Sequence, residues 1–262
     1  MSFFFCLTNL GLEASLKLEM SKRFPHWKLS FSAPGFITFK GEGKFPDRPY
    51  LARYWGEVLG KGVLEGGEVL RLEKGGEWTV KIHTPRPFWF DAPEAVLPEE
   101  SPSRAWLKIE EAIRLFDLSV MTGDVAMEVG ASPGGAVMNL LDRGLIVKGV
   151  DPALMDPGVL KHPNFTHLKK PFQELTPQET SGVDWWLSDL NLAPGSVLSH
   201  LGRILRSVDT KPRGLILTLK LAKPEVAAEI AQHEARVQEW GYRTCVRLLP
   251  SHHKEVLLLA IK

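Results

Sequence analysis

A chain of 262 residues with 44% apolar content can bury a sizeable core, in one large domain or two modest ones. Its 32 Lys and Arg against 31 Asp and Glu leave a net charge of +1, so no global charge pulls it toward nucleic acid, and any attraction for phosphate must come from local clusters. The two cysteines, Cys6 and Cys245, lie far apart without metal-type spacing, which excludes a disulfide framework and a zinc site and leaves free, buried thiols.

In chain order, Phe3 to Leu7 reads as a buried strand, because no basic flank precedes it and it is too short for a signal or membrane span. No membrane partner and a cytoplasmic location follow as expectations. Leu12 to Phe24 has the period of an amphipathic helix, and Trp27 to Phe31 and Gly35 to Phe39 read as strands. Gly41 to Pro85, with Gly-rich turns and short apolar runs, adds strands and helical pieces to this small α+β domain. The Pro-rich stretch from Arg86 to Pro102 divides the chain into residues 1–90, a linker over 91–102, and residues 103–262.

Downstream the pattern alternates. A helix opens near Ser103, a candidate cap, with Trp106, Ile109, Ile113 and Phe116 on one face. The strand Val125 to Val129 follows, then a helix over Gly134 to Arg143 stopped by Gly144, then the strand Leu145 to Val150. Phe165 to Leu168, Asp184 to Leu187 and Gly214 to Leu219 read as further strands, with a helix over Ser196 to Val208. A helix over Glu225 to Trp240 precedes two strands, Tyr242 to Leu249 and Val256 to Ile261, which form a hairpin, so one of them runs antiparallel. Such alternation implies right-handed crossovers and a mostly parallel sheet with helices on both faces.

Glu128-Val129-Gly130-Ala131-Ser132-Pro133-Gly134-Gly135 is a strand-to-helix loop of the nucleotide-binding kind. Small residues let a ligand approach the backbone, and the N–H groups opening the next helix can receive an anionic group. Asp151 closes the next strand about twenty residues on, where a carboxylate accepts from ribose hydroxyls. Ser132-Pro133 fills the middle where a dinucleotide fingerprint has glycine, which disfavours a nicotinamide oxidoreductase and points to a compact adenosine cofactor, S-adenosylmethionine.

Four polar residues stand at element ends: Lys108, Asp189, Lys220 and Glu255. Parallel strands deliver their carboxyl ends to one crevice, so Asp189, Lys220 and Glu255 face it, with Lys108 on the flank of its helix. Lys220 interrupts the run Leu215 to Leu221, and a lysine there requires a partner or a task. Basic groups also cluster at Lys22-Arg23 with Lys28, Lys169-Lys170, Arg203 with Arg206, Lys211 with Arg213, and His252-His253-Lys254.

The helix Ser103 to Ala112, the loop Gly130 to Gly135, Ser188-Asp189-Leu190, Leu219-Lys220-Leu221 and Lys254-Glu255-Val256 together resemble the ordered motifs of FtsJ-like RNA ribose 2′-O-methyltransferases. The resemblance runs from about Ser103 onward and is strongest to the bacterial large-subunit ribosomal RNA cytidine enzymes, which carry an N-terminal THUMP-type RNA-binding region. It implies an α/β fold, a Rossmann-like methyltransferase domain whose mostly parallel sheet ends in an antiparallel hairpin, preceded by a small α+β domain, here residues 1–90. It implies the catalytic set Lys108, Asp189, Lys220 and Glu255. For the donor it implies Glu128, the Gly130, Ala131, Ser132, Pro133, Gly134 and Gly135 loop, Asp151 and Asp189, with no metal and with RNA as partner. The family commonly offers an Asp near the adenine after the third strand. Here Lys170-Pro171-Phe172 stands instead, so backbone groups at Pro171 and Phe172 are assigned that contact.

The chemistry leaves Lys220 two roles. With its pKa lowered by burial and by Lys108 it would be a general base; charged, it would stabilise a developing alkoxide. Asp189 would orient Lys220, and Glu255 would position Lys108 or the hydroxyl. The alternatives to ribosomal RNA are a transfer-RNA or cap substrate, or a non-catalytic RNA-binding module on the same fold.

Overall fold

The computed structural model describes residues 1–84 and 95–262; the first part of the expected linker, up to Glu94, lies outside the described residues. The N-terminal region contains β1 (Ser2–Leu7), α1 (Glu13–Arg23), β2 (Lys28–Ala33), β3 (Phe36–Gly41), β4 (Tyr54–Lys61), β5 (Glu68–Leu72) and β6 (Gly76–Ile82). They form one antiparallel sheet in the order β2-β3-β1-β4-β6-β5. Strand alternation sends Phe4 and Cys6 to the face covered by Leu16 and Met20 of α1, and Phe5 to a second cluster with Phe36, Tyr54 and Trp78. The helical pieces expected between 41 and 85 do not form among the described residues there. Glycines at 60, 62, 66, 67, 75 and 76 remove helix propensity, and the region folds as the strands β4 to β6.

The second region contains α2 (Ala105–Phe116), β7 (Val125–Val129), α3 (Gly135–Asp142), β8 (Ile146–Val150), α4 (Pro157–Leu160), β9 (Phe165–Leu168), α5 (Pro177–Thr180) and β10 (Trp185–Ser188). It continues with α6 (Pro194–Ser207), β11 (Gly214–Lys220), α7 (Pro224–Ala227), α8 (Ile230–Gln238), β12 (Arg243–Arg247) and β13 (Glu255–Ile261). The sheet order is β12-β13-β11-β10-β7-β8-β9, parallel except for β13, which is antiparallel to both neighbours. This is the expected Rossmann-like sheet with its closing hairpin.

The single helix expected over Glu225 to Trp240 is two. Ala228 and Glu229 donate to the carbonyls three residues back, Glu225 and Val226, and this tightened turn sends both Ala227 and Ile230 into the core. That core crosses between the regions: Leu12, Leu51 and Trp55 share one apolar cluster with Leu221, Ala227, Ile230, Val246 and Leu248. The Glu234 carboxylate of α8 accepts from Arg48 at 2.9 and 2.8 Å, from the Tyr50 hydroxyl at 2.7 Å and from Thr244 at 3.0 Å. Two sheets therefore rest on a shared interior.

Candidate active site

From β7 the chain builds outward through β8 and β9, whereas β10 and β11 lie on its other side, so the connectivity reverses between β7 and β10. In an open parallel sheet that reversal opens a crevice at the carboxyl ends. The Gly130 loop leaves β7 there and Asp189 leaves β10. Gly130 has φ +82°, and a Cβ on it would stand 3.0 Å from the Asp189 carbonyl oxygen, so only glycine lets the loop lie against Asp189. At Gly135 a Cβ would overlap Ser103, which lets the start of α2 cross directly over the start of α3. Arg104, rather than the expected Ser103, occupies the cap position, while the Ser103 hydroxyl accepts from the Ala105 N–H at 3.3 Å. One turn further on, Lys108 reaches the crevice.

The structure brings all four expected polar residues together. Lys108 Nζ lies 2.8 Å from Asp189 Oδ2 and 2.6 Å from Glu255 Oε1, and Lys220 Nζ lies 2.6 Å from Asp189 Oδ1 and 2.5 Å from Glu255 Oε2. Each ammonium bridges both carboxylates, in a closed square of alternating charge. The backbone imposes it: Lys220 and Glu255 are directly opposed across β11 and β13, and Asp189 follows β10, the other neighbour of β11. The side chains are 14% (Lys108), 18% (Asp189), 22% (Lys220) and 8% (Glu255) exposed, enough shielding to strengthen the pairs and enough opening for a ligand.

The charge states follow from competing effects. Burial alone would raise the Asp189 and Glu255 carboxyls, but the paired lysines outweigh it and hold both below their ordinary value. Burial alone would lower Lys220, yet Asp189 and Glu255 outweigh it and push its pKa up. The condition for a general base, a Lys220 pKa lowered by burial and by Lys108, is therefore not met in this arrangement; Lys220 stands as an ammonium.

Beside the square is a cavity of about 330 Å³ lined by Arg104, Lys108, Glu128, Asp189, Glu255 and residues Gly130 to Pro133. Glu128 is 2% exposed, and its Oε2 has no hydrogen-bond partner among the described residues. Burial, reinforced by Asp189 and Asp151 and opposed by Lys108, pushes its pKa well up. Gly134 and Gly135 follow the lining segment, at the cap and first turn of α3. Asp151 is already engaged: Oδ2 accepts from the Ser132 N–H at 3.1 Å and Oδ1 from Ala153 at 2.8 Å, so it shapes the loop and retains free lone pairs for a ligand. Pro171 and Phe172 are not among the lining residues. The Phe172 ring is buried in the core against His200, which leaves only backbone for contact with a ligand.

Several residues here escaped the sequence reading. Glu111 of α2 accepts from the Ser251 N–H at 3.0 Å and hydroxyl at 2.7 Å, and Asn9 of the N-terminal region donates to the carbonyls of Leu249 and His252. Arg104 Nη1 lies 2.5 Å from His253 Nε2 at the cavity mouth. The doubled acid Glu110-Glu111 and the basic run His252-His253-Lys254 were the local signals; the contacts themselves are long-range. His252 is not part of a basic surface cluster, because full burial, with Lys108 and Lys220 nearby, drives its pKa down to about 3 and keeps it neutral.

The remaining basic clusters do not gather on one rim. Lys211 and Arg213 precede β11, and Arg206 ends α6, so both lie at the opposite rim from Lys220; Arg213 is paired with Asp124 at 2.5 Å. Lys170, on the crevice side after β9, is paired with Glu179 at 2.6 Å. Among the described residues no His, Cys, Asp and Glu group is arranged to hold a metal, Cys6 is buried and free, and Cys245 is free but only half-buried. No helix of the described residues is long and apolar enough to cross a membrane.

Comparison with known proteins gives the family and the fold. The family model described as FtsJ-like methyltransferase matches residues 102–236. Two relatives described as ribosomal RNA large subunit methyltransferase M are similar over much of the chain. The one from Edwardsiella ictaluri is 30% identical over 159 residues, covering 58% of this chain and 41% of the relative. The one from Pectobacterium atrosepticum is 31% identical over 164 residues, covering 58% and 43%. The chain thus spans less than half the length of these relatives. A crystal structure of a candidate hemolysin from Lactococcus lactis aligns with a TM-score of 0.54 at 16% identity, over 63% of this chain and 90% of that one, a likeness of fold.

Proposed function

Because this chain belongs to the FtsJ-like methyltransferase family, we propose that it transfers a methyl group from S-adenosylmethionine to a ribose 2′-hydroxyl of RNA, with large-subunit ribosomal RNA as the substrate. The observation that carries the reading is the square of Lys108, Asp189, Lys220 and Glu255 at the switch point, beside a cavity of about 330 Å³.

The cavity suits the donor. The buried Glu128 oxygen without a partner offers an acceptor for an ammonium or hydroxyl, and Gly130 to Pro133 line the cavity beside it. Asp151 keeps lone pairs for a ribose, and an adenine contact through the backbone of Pro171 and Phe172 is part of the proposal although neither residue lines the cavity. When bound, the donor supplies a sulfonium methyl whose departing thioether is neutral, so no acid is required for a leaving group.

The chain's own task is the hydroxyl. Lys220, kept cationic by its two carboxylates, donates to the ribose oxygen and stabilises the negative charge that develops there. Asp189 and Glu255 hold both ammonium groups in place, so their positions cost no reorganisation during reaction. The hydroxyl proton passes to a carboxylate oxygen of the square, and then to water, as the oxygen attacks, so the negative charge that Lys220 stabilises develops before the methyl is gained. Lys108 completes the charge balance on the far side. The N-terminal region, residues 1–90 of the domain division, holds the RNA backbone in a THUMP-like role, and residues 91–102 join it to the methyltransferase domain of residues 103–262. The exposed Arg104 and His253 pair at the mouth supports entry of a polyanion from that side.

The test is transfer of labelled methyl to unmodified transcripts of large-subunit RNA, followed by digestion to nucleosides, with Lys220→Ala in parallel. Label in a 2′-O-methyl nucleoside, lost in the variant, is the expected result. Label in a base-methylated nucleoside, or transfer undiminished in the variant, would overturn the reading.

A further inference from the structure

We infer that the N-terminal domain is part of the catalytic scaffold: the Asn9 carboxamide is a positioning residue that fixes the turn Leu249–His252 and, through it, the carboxylate of Glu255. The inference rests on the methyl-transfer reading of the site.

Asn9 follows β1 and donates both of its amide hydrogens across the chain, to the Leu249 carbonyl at 2.9 Å and to the His252 carbonyl at 2.6 Å. Its own position is set within the N-terminal domain. The Leu12 N–H donates to its carbonyl at 3.1 Å, Thr8 is tied to the Gly35 carbonyl at 2.8 Å, and Arg53 reaches its Oδ1 at 3.4 Å. The turn it grips closes on itself through the His252 N–H and the Leu249 carbonyl at 3.1 Å. From the opposite side Glu111 holds Ser251, and Glu111 lies on α2, the helix that carries Lys108.

The turn is therefore clamped between the helix bearing one lysine of the square and the first strand of the other domain. Three residues after His252 the chain enters β13 at Glu255, whose two oxygens contact both lysines. Neither Ala nor Asp at position 9 can donate to two carbonyls. Removing the amide leaves the His252 carbonyl, in a buried residue, without this donor, and gives the turn freedom to move Glu255. Ion pairs this short do not survive sub-ångström drift without loss of charge placement.

The experiment measures steady-state methyl transfer to RNA together with direct binding of S-adenosylmethionine, for wild type, Asn9→Ala and the near-isosteric Asn9→Asp, below the onset of unfolding of each. The expected result is a kcat lowered about tenfold or more, with KM for RNA and Kd for the donor within about twofold of wild type. If Asn9→Ala does not fold, Asn9→Asp carries the same comparison. Unchanged kcat in the folded variants, a raised KM at constant kcat, or loss of donor binding would each overturn the inference. Absence of transfer by the wild-type protein would instead remove the methyl-transfer reading, and the inference with it.

Discussion

Glu234→Gln tests whether the two regions are bolted into one cooperative unit. Glu234 is buried, and it receives two hydrogen bonds from the Arg48 guanidinium besides those from Tyr50 and Thr244. The amide keeps the size and one acceptor oxygen but removes the charge. Two bonds between ionised partners, each worth about 1.5–3 kcal/mol, become at best one bond from the guanidinium to a neutral amide oxygen, worth about 1.5 kcal/mol. The Arg48 side chain is 35% exposed, so water recovers part of the difference and a net loss of about 2 kcal/mol remains. In urea, with a slope of about 3 kcal/mol per molar, the midpoint should fall by about 0.7 M. Equilibrium unfolding followed by tryptophan fluorescence and by far-UV circular dichroism should give one coincident transition for both proteins, because Trp55 and Ile230 belong to one apolar cluster. The exposed Glu225→Gln on α7 serves as control and should shift the midpoint by less than about 0.2 M. An unchanged midpoint in Glu234→Gln, or separate transitions of the two regions in the wild type, would refute this account of the interface.

Two further outcomes follow from named residues. Gly130→Ala forces a side chain into φ +82° and against the Asp189 carbonyl, at a conformational cost of about 1–2 kcal/mol; a modest fall in Tm with at least a tenfold loss of kcat, of the order a displaced catalytic group costs, is expected, and full activity would contradict the role given to that close approach. His252 has a folded pKa of about 3 against an ordinary value of 6.5, so the unfolded chain takes up a proton that the folded one refuses. Its contribution is present above pH 6.5 and is lost as pH falls, by about 1.4 kcal/mol per unit or about 2 kcal/mol by pH 5. Denaturant titrations from pH 7.5 to 5 should show a flatter acid limb in His252→Gln than in wild type, and parallel limbs would contradict the burial of a neutral imidazole.

What was legible in the sequence was what is local. The strand Val125 to Val129, its loop and the placement of Asp189, Lys220 and Glu255 at strand ends follow from short apolar runs and their punctuation, and these suffice to assemble the square because parallel strands share one rim. The cross-strand pairing of Lys220 with Glu255 was not legible, because it depends on β13 inserting between β12 and β11 rather than on the hairpin alone. What was hidden depends on distant partners. The proton on Lys220 could not be read because burial and two carboxylates act in opposite directions, and only their distances decide. Whether the basic pairs around Lys211 and Lys170 share a surface could not be read from the sequence; the topology sets them on opposite rims and gives several of them acidic partners. Asn9 carries no motif at all, since its partners lie some 240 residues on. The shared core also has a practical consequence: cutting the chain before Ser103 would bare Val246, Leu248 and Ile230 and strip Glu234 of Arg48 and Tyr50, so truncation cannot isolate RNA binding from folding.

The central claim is that four charges act as one device on a ribose hydroxyl. It is tested most directly by single-turnover methyl transfer to RNA at saturating donor, in Lys108→Ala, Asp189→Ala, Lys220→Ala and Glu255→Ala and in the double variant Lys220→Ala with Glu255→Ala. The account predicts that each single change lowers the rate by about a hundredfold or more and that the double variant is little worse than either single one, as for groups that work together. Near-wild-type transfer in any of the four, or losses that simply multiply in the double variant, would contradict it.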